Sequence, residues 1–297
     1  MARLAQLKLS MTTTMLLVAV IFSAFLVVIM YLFQLPLIYA IMGTIFFILL
    51  QYLIGPEVVK WSTGLRHLRP GENPWLEAMV RDLAQKSGIP VPKLAIVPDR
   101  TPNAFVFGRS AGGATLAVHE GLLTALNQEE IQGVLSHELG HIKHKDFLVM
   151  TVLSALPLLA YLIARGTFEA ARVGRKKVGA ALLVAAALSY VVYVVSLLLV
   201  MGLSRLREHY ADAYSAYLTE SPRRLESALT KITYGLSLAP TPPHGARALY
   251  IGDPALAKQE CQGIIRRREE YDLDKDGVLD ERELELAMER EAKSTWT

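Results

Sequence analysis

Two histidines and a glutamate stand close together in "SHELGHIKHKD", which runs from Ser136 to Asp146. On an α-helix, residues four apart lie one above the other, so the side chains of His137 and His141 can bind one metal ion. Glu138 projects about 100° away, within reach of a water molecule on that ion. The pattern H-E-x-x-H is typical of zinc peptidases, and the alternative is an amphipathic helix with two surface histidines.

At such a site Glu138 is expected to act as the general base, which accepts a proton from the attacking water and passes it to the leaving amine. The chain contains seven histidines, and three of them fall within "HELGHIKH". This clustering favours a zinc site over a chance match. His144, on a neighbouring face of the helix, is expected at the surface, with a supporting contact to the ligands as the alternative.

A third zinc ligand is expected from "SRLREHYADAYSA", which spans Ser204–Ala216. Glu208 is the candidate ligand. Asp212, one helical turn later, could accept a hydrogen bond from a zinc-bound histidine and fix its tautomer, or it could be a surface carboxylate. His209 is the alternative, either as a ligand or as a donor to the transition state.

Four apolar blocks indicate membrane helices. Residues Leu9–Pro56 carry no charge and are long enough for two crossings, with a break at Gln34–Pro36, because about 20 helical residues span a bilayer. The third block is Phe147–Ala164 and the fourth is Val178–Ser204. A cleaved signal peptide is the alternative for the first block, but its apolar run is much longer than the core of a signal.

The last two blocks explain how the zinc ligands can meet. His141 lies shortly before the third block and Glu208 shortly after the fourth. If the two blocks form an antiparallel hairpin, both ligands emerge on one membrane face, about 9 Å and about 6 Å from the lipid edge. The sequence therefore predicts a zinc site at a membrane surface.

The expected fold is a mainly α membrane protein. Four apolar helices in two hairpins accompany an α+β catalytic domain of the zincin type with a small sheet, and an EF-hand helix-loop-helix ends the chain. The net charge is only +3, and the basic residues form no stripe in the sequence. Both observations argue against nucleic-acid binding. The predicted segments are a membrane hairpin at 1–56, catalytic parts at 57–146 and 205–255 around a second hairpin at 147–204, and a calcium-binding tail at 256–297.

Four blocks together resemble the HtpX-like membrane metallopeptidases, relatives of the CAAX prenyl proteases: "GVLSHELGHIKHKD", "NAFVFGRS", "EGLLTAL" and "SRLREHYADA". The resemblance covers roughly residues 10–260. It implies a zinc endopeptidase that degrades damaged or misassembled membrane proteins, with a catalytic domain facing the cytoplasm. The implied zinc ligands are His137, His141 and Glu208, and the implied base is Glu138.

The resemblance also implies that Asn103, Ala104 and Phe105 form an edge strand that holds the substrate backbone by strand addition. The alternative is a plain hairpin strand. The chain departs from the family at His209, where an aromatic residue is common, and it lacks a His-Pro-Pro segment near the end of the family domain. "TPPHGAR" offers His244 and Arg247 in a different order, so a role for them in the transition state is weakly supported.

An acidic loop near the end of the chain, "DLDKDGVLDERE", matches the EF-hand pattern at every position, with Gly277 at the sharp turn. An acidic helical tail is the alternative. A single EF-hand leaves three options open: pairing across a homodimer, packing on the protease domain, or weak binding of Ca²⁺ alone. The predicted calcium ligands are Asp272, Asp274, Asp276, the Val278 carbonyl, Asp280 and Glu283.

Charge near the first helix predicts the orientation. Arg3 and Lys8 favour a cytoplasmic N-terminus, in the cell membrane, with the catalytic segments on the same side. The basic segment "RGTFEAARVGRKK" between blocks three and four opposes a full crossing there.

The predicted partners are polypeptide substrates, chiefly membrane proteins, and lipid. Two competing functions are a calcium-responsive scaffold with a vestigial site and a prenyl-protein protease.

Overall fold

The computed structural model describes residues 2–33, 36–173, 176–237 and 286. The chain divides into two compact units, one of Met1–Glu57 with His144–Ala211, the other of Val58–Lys143 with the chain from Asp212. Several predictions lie outside the described residues. They concern His244 and Arg247, the calcium loop Asp272–Glu283 and the predicted tail at 256–297.

Helices make up most of the described chain, and a small mixed sheet accompanies them, which confirms the predicted class at this level. The elements in chain order are α1 (Ala2–Phe33), α2 (Leu37–Thr63), β1 (Arg66–His67), α3 (Pro74–Ser87), β2 (Lys93–Val97), β3 (Ala104–Phe107), a 3-10 turn (Ala111–Gly113), β4 (Thr115–His119), α4 (Glu120–Ala125), α5 (Gln128–Lys143), α6 (Asp146–Val173), α7 (Lys176–Thr219) and α8 (Pro222–Ser237).

Within the described residues, four helices are long and apolar enough to cross a membrane. Their candidate spans are Leu9–Tyr31, Ile41–Thr63, Asp146–Arg172 and Gly179–Thr219. These spans confirm the four apolar helices that the sequence predicts. The predicted break near Pro36 also agrees, because α1 ends at Phe33 and α2 begins at Leu37.

The helices run further than the apolar blocks. Pro56 lies inside α2 and Pro157 lies inside α6. Helix α6 continues to Val173, so most of the segment interpreted as a basic loop between blocks three and four is helical. Helix α7 likewise continues to Thr219, well past the end of the fourth block. Backbone groups in lipid must bond within the helix, and Arg and Ala are good helix formers, so charge alone does not mark the helix ends.

In the first unit, one stripe of α1 is buried. Val18, Phe22, Phe25 and Ile29 recur at intervals of three and four residues, the spacing of one helix face. They share a core with residues of α6 and α7. The buried partners from those two helices are Leu153, Leu156, Ala160, Val200 and Leu203.

In the second unit, the strand order of the sheet is β1-β2-β4-β3. Strands β2 and β4 are parallel, whereas β3 and β4 are antiparallel, with Ala104 opposite Val118 and Phe107 opposite Thr115. The predicted small sheet thus has four strands in the described part of the chain, and β1 could not be recognised from the sequence because its two residues carry no strand pattern. Strand β3 therefore stands at one edge of the sheet.

Helix α5 lies in the core of the second unit. Its apolar side chains recur at helical spacing and pack with α3, with α8 and with the sheet. Asn127 caps the start of this helix: its side-chain oxygen accepts a hydrogen bond from the Glu130 amide at 2.9 Å. The buried apolar residues of α5 are Ile131, Val134, Leu135, Leu139 and Ile142.

Candidate active site

Helix α5 carries His137 and His141 on consecutive turns, as their spacing predicts. Their Nε2 atoms lie 3.1 Å apart. The two rings stand nearly perpendicular, with an interplanar angle of 81° and centroids 4.8 Å apart. His137 is buried and His141 is half-buried. The helix is held by its apolar face in the core, so both rings project from a rigid element.

Asp212 on α7 orients the first of these rings. Its Oδ1 atom lies 3.0 Å from Nδ1 of His137. An ionised carboxylate can only accept, so its position beside Nδ1 favours the tautomer with the proton on Nδ1 and the lone pair on Nε2. That nitrogen is the one that faces His141. Of the two alternatives for Asp212, the contact supports the role beside a histidine ligand.

Glu208 precedes Asp212 by one turn of α7, so the two carboxylates share a helix face. His137, His141 and Glu208 each offer one ligand atom, and these atoms all lie within 4.8 Å of one another. Glu208 is exposed. The group therefore combines two nitrogen ligands and one oxygen ligand.

This donor set fits a catalytic zinc ion. Two ligands at about 2.0–2.1 Å from a tetrahedral zinc ion would lie about 3.3 Å apart, close to the 3.1 Å between the two Nε2 atoms. Two histidines and a glutamate are the protein ligands of one common class of catalytic zinc site, in which the fourth position is left for water or substrate.

Glu138 follows His137 on the same helix. Its side chain is buried, at 3% relative exposure, and it projects about 100° around the helix from that ligand. A carboxylate in such a position can accept a proton from water beside the zinc ligands without itself being a ligand. The role of Glu138 as general base stays a prediction.

Two further histidines stand outside the three-residue group. His144 is half-buried, and its ring meets Tyr210 edge-on with centroids 4.2 Å apart. It is therefore not the surface residue that the sequence favoured. His209 is half-buried beside Glu208 on α7, and its predicted alternative role stays a prediction.

The predicted substrate strand coincides with the start of β3. Asn103 and Phe105 are nearly fully buried, and Ala104 has no exposed surface. The Asn103 carbonyl accepts a hydrogen bond from the His119 amide at 3.0 Å. Because β4 covers one side of β3, the other side is the free edge of the sheet as far as the described residues show.

Two contacts of α7 were not foreseen from the sequence. Arg207 donates to the backbone carbonyl of His144 and to the side chain of Asp146. Ser215 donates to the Gly133 carbonyl at 2.7 Å. Glu208, Asp212 and Ser215 recur at four and three residues, so this helix face could have been recognised from their spacing.

Comparison with known proteins agrees with this geometry. A model of Peptidase family M48 matches residues 70–272. "Protease HtpX homolog" of Methanothermobacter thermautotrophicus is 41% identical over 202 residues, which are 68% of this chain and 75% of that protein. "Protease HtpX homolog 2" of Methanosarcina acetivorans is 38% identical over 230 residues, 75% of this chain and 76% of that protein.

Among solved structures, the crystal structure of S. mikatae Ste24p matches with a TM-score of 0.47 and 19% identity, over 77% of this chain and 58% of that chain. The family match and the two relatives confirm the predicted resemblance and the predicted zinc metalloprotease activity. Because the family model covers more than half of the chain and the relatives match over most of their length, the chain belongs to Peptidase family M48.

Proposed function

We propose that His137, His141 and Glu208 bind the catalytic zinc ion of a membrane endopeptidase, with Glu138 as its general base. One observation carries this proposal: in a chain of Peptidase family M48, these three residues bring their ligand atoms within 4.8 Å of one another. Two imidazoles and one carboxylate give the N/N/O set of hydrolytic zinc sites.

A zinc ion at this site would polarise the scissile carbonyl and make water a better nucleophile at neutral pH. Glu138 accepts the proton of the attacking water and then donates it to the leaving amine. Asp212 holds the proton on Nδ1 of His137, which keeps Nε2 available as a ligand.

Substrate binding is assigned to β3, which stands at one edge of the sheet within the described residues, with Asn103, Ala104 and Phe105 at its start. An extended peptide that adds to this edge gains main-chain hydrogen bonds without reading many side chains. Such binding suits a protease that must accept many unfolded sequences. The edge position of β3, which pairs with β4 on one side in the described part of the chain, supports this assignment.

The candidate membrane spans restrict where substrates are cleaved. His141 lies five residues before Asp146, the start of one span, and Glu208 lies within the helix that carries another. A site so close in sequence to apolar helices selects polypeptides that reach the membrane surface. Damaged or misfolded membrane proteins are the substrates that this position favours.

The cell membrane is the proposed location, with the zinc ligands on the cytoplasmic side. Arg3 and Lys8 precede the first candidate span, and basic residues beside the first span favour retention in the cytoplasm. The basic segment after Ala164 opposes a full crossing by α6 and α7. The length of α6, 28 residues, supports a crossing, since about 20 residues suffice.

Calcium binding by Asp272, Asp274, Asp276, Val278, Asp280 and Glu283 stays a proposal from the sequence. These residues present six oxygen ligands at the EF-hand positions, with Gly277 at the turn. A homodimer through paired EF-hands and regulation of the protease by Ca²⁺ are parts of the same proposal. Cleavage rate and oligomeric state measured with Ca²⁺ and with EGTA would test it, and no change in either would oppose it.

Cleavage of an unfolded membrane protein in detergent tests the proposed activity. The wild type with zinc should cleave the substrate, and Glu138→Gln should lose at least about 100-fold in rate while it keeps its zinc. A matched control is Glu120→Gln, which changes a glutamate in the first turn of α4 and should cleave normally. Equal rates for wild type and Glu138→Gln would oppose the assignment and favour a scaffold with a vestigial site.

A prenylated peptide tested beside the unfolded protein distinguishes the proposed endopeptidase from the remaining alternative, a prenyl-protein protease. An endopeptidase that binds backbone by strand addition should cleave the unfolded protein and should gain nothing from the prenyl group. Preferential cleavage of the prenylated peptide would instead support a prenyl-protein protease.

A further inference from the structure

Arg207 is a buried cation directly before the proposed ligand Glu208. Its side chain is 5% exposed. The Nη2 atom donates to the His144 carbonyl at 3.0 Å and also to Oδ1 of Asp146. A buried guanidinium whose Nη2 atom donates to two acceptors is fixed in direction, since the N–H groups of a guanidinium lie in one rigid plane.

The two acceptors lie at the junction between α5 and α6. Helix α5 ends at Lys143, so the His144 carbonyl lies just past its C-terminus, where carbonyls lack partners within the helix. Asp146 is the first residue of α6. Arg207 therefore attaches α7 to the short segment that follows His141 by three to five residues.

Glu208 depends on the backbone that carries it. The residue is exposed, whereas the adjacent Arg207 is buried. Successive residues on a helix project about 100° apart. Arg207 can thus be anchored in the interior while Glu208 projects from a different side of α7.

Stability alone does not explain the buried pair of Arg207 and Asp146. Desolvation offsets much of the attraction in a buried ion pair, and apolar residues of similar size often stabilise a protein equally well. What a guanidinium adds is direction. Ser215 on the same helix also donates a hydrogen bond to the Gly133 carbonyl. This second contact of α7 follows Glu208 and Asp212 in sequence, whereas Arg207 precedes them.

We propose that Arg207 is a positioning residue for the zinc site: it fixes the turn of α7 that carries Glu208 to the segment between α5 and α6. This inference rests on the proposed function, in which Glu208 is a zinc ligand. In this proposal Arg207 contacts neither the substrate nor the metal.

The test is a zinc titration of the full chain in detergent, in competition with a chelator, together with the absorption spectrum of the Co²⁺-substituted protein. Arg207→Met should bind zinc about 10–100-fold more weakly, the usual loss for a residue that supports a metal ligand, and should change the Co²⁺ spectrum. Arg207→Lys keeps the charge but lacks the planar guanidinium, and should show a smaller loss of zinc affinity.

Arg224→Met is the matched control, because Arg224 on α8 binds Gln132 on the zinc-binding helix but does not adjoin a proposed ligand. It should leave zinc affinity and spectrum unchanged. Wild-type affinity and spectrum in folded Arg207→Met, or the same losses in Arg224→Met, would overturn the inference. If Arg207→Met does not fold, Arg207→Lys decides: an unchanged affinity and spectrum would overturn it.

Glu208→Ala in the same titration separates the two proposals. If Glu208→Ala binds zinc like the wild type, the proposed ligand set fails. If Glu208→Ala loses zinc while both Arg207 variants retain it, the ligand set stands and only the positioning role fails.

Discussion

Nδ1 of His137 lies 3.0 Å from Oδ1 of Asp212, and the contact joins helix α5 to helix α7. The carboxylate fixes which nitrogen of the ring carries the proton. With Nδ1 beside the carboxylate, Nε2 lies on the opposite side of the ring. The 3.1 Å between the two Nε2 atoms follows from this orientation and from the four-residue spacing of the histidines.

Replacement of Asp212 should weaken zinc binding. Asp212→Asn keeps the shape of the side chain but removes its charge, so we expect zinc affinity to fall about 10-fold, and Asp212→Ala to cost up to about 100-fold. Competition with a chromogenic chelator measures both. Asp82→Asn is the control, because that carboxylate pairs with Lys86 on the surface of α3. Wild-type affinity in both Asp212 variants would contradict the role given to this residue.

Gly133→Ala should destabilise the protein by about 1–3 kcal/mol, the usual cost of an overpacked core. A Cβ atom on Gly133 would stand 2.8 Å from the backbone nitrogen of Leu225 and 2.9 Å from the carbonyl carbon of Arg224. Both atoms belong to the backbone of α8, so no side-chain rotation relieves the contact. The midpoint of thermal unfolding in detergent measures the effect.

Gly112→Ala is the control for that substitution, since nothing lies within 4 Å of its Cβ position. Equal midpoints for Gly133→Ala and the wild type would show that α8 moves away at little cost. A loss of zinc affinity in Gly133→Ala beyond its loss of stability would add that the close approach also positions α5.

Local pattern was sufficient to predict that His137 and His141 share a helix face. Residues four apart on one helix share a face whatever the rest of the chain does, so His137 and His141 follow from the sequence alone. The cap at Asn127 and the helix end at Gly88 are equally local, and Gly88 adopts the left-handed conformation with φ of 63°. Glu208 needed one more step, the expected return of the chain through two apolar blocks.

Contacts between distant segments were harder to predict. Strand β1 has two residues, and its pairing with β2 depends on where α2 ends. Arg207 resembles any arginine beside a membrane helix until its burial against Asp146 is known. Pro56 and Pro157 suggest interruptions, but each lies inside a continuous helix, because lipid raises the cost of an unpaired backbone group.

Asn127→Ala should lower the free energy of unfolding by about 1 kcal/mol. Asn127 and Glu130 cap helix α5 reciprocally: the Glu130 amide donates to Oδ1 of Asn127 at 2.9 Å, and the Asn127 amide donates to Oε2 of Glu130 at 2.8 Å. Thr124→Ala is the control, since that hydroxyl bonds carbonyls within its own short helix. A loss no larger than that of Thr124→Ala would contradict the importance of the cap.

The Glu130 carboxylate should make the second unit sensitive to acid. Burial acts to raise the pKa of Glu130, but bonds from Ser227, the Asn127 amide and Lys231 outweigh it, so the pKa lies below the ordinary value of 4.5. This contribution to stability is present above pH 4.5 and is lost as the pH falls through the folded-state pKa. Glu130→Gln should be less stable than the wild type at neutral pH, and thermal midpoints should converge in acid; a constant difference would contradict the linkage.

Burial of His119 should lower the stability of the folded protein as the pH falls below neutrality. Burial of the ring, the largest effect, lowers the pKa of His119 below 6.5, while Asp99 and the bond to the Thr101 carbonyl act in the opposite direction. The unfolded chain therefore takes up a proton near pH 6.5 that the folded chain takes up only at lower pH. Stability is full above pH 6.5 and declines below it.

Comparison of wild type with His119→Gln isolates this effect from the other titrating groups. The difference between their thermal midpoints, measured with excess chelator from pH 8 to pH 5, should change in favour of the variant as the pH falls. His67→Gln is the control, because His67 is exposed on β1, and its difference from the wild type should stay constant. The same constant difference for His119→Gln would show that the buried ring accepts its proton without cost to the fold, and that Asp99 and Thr101 compensate fully for burial.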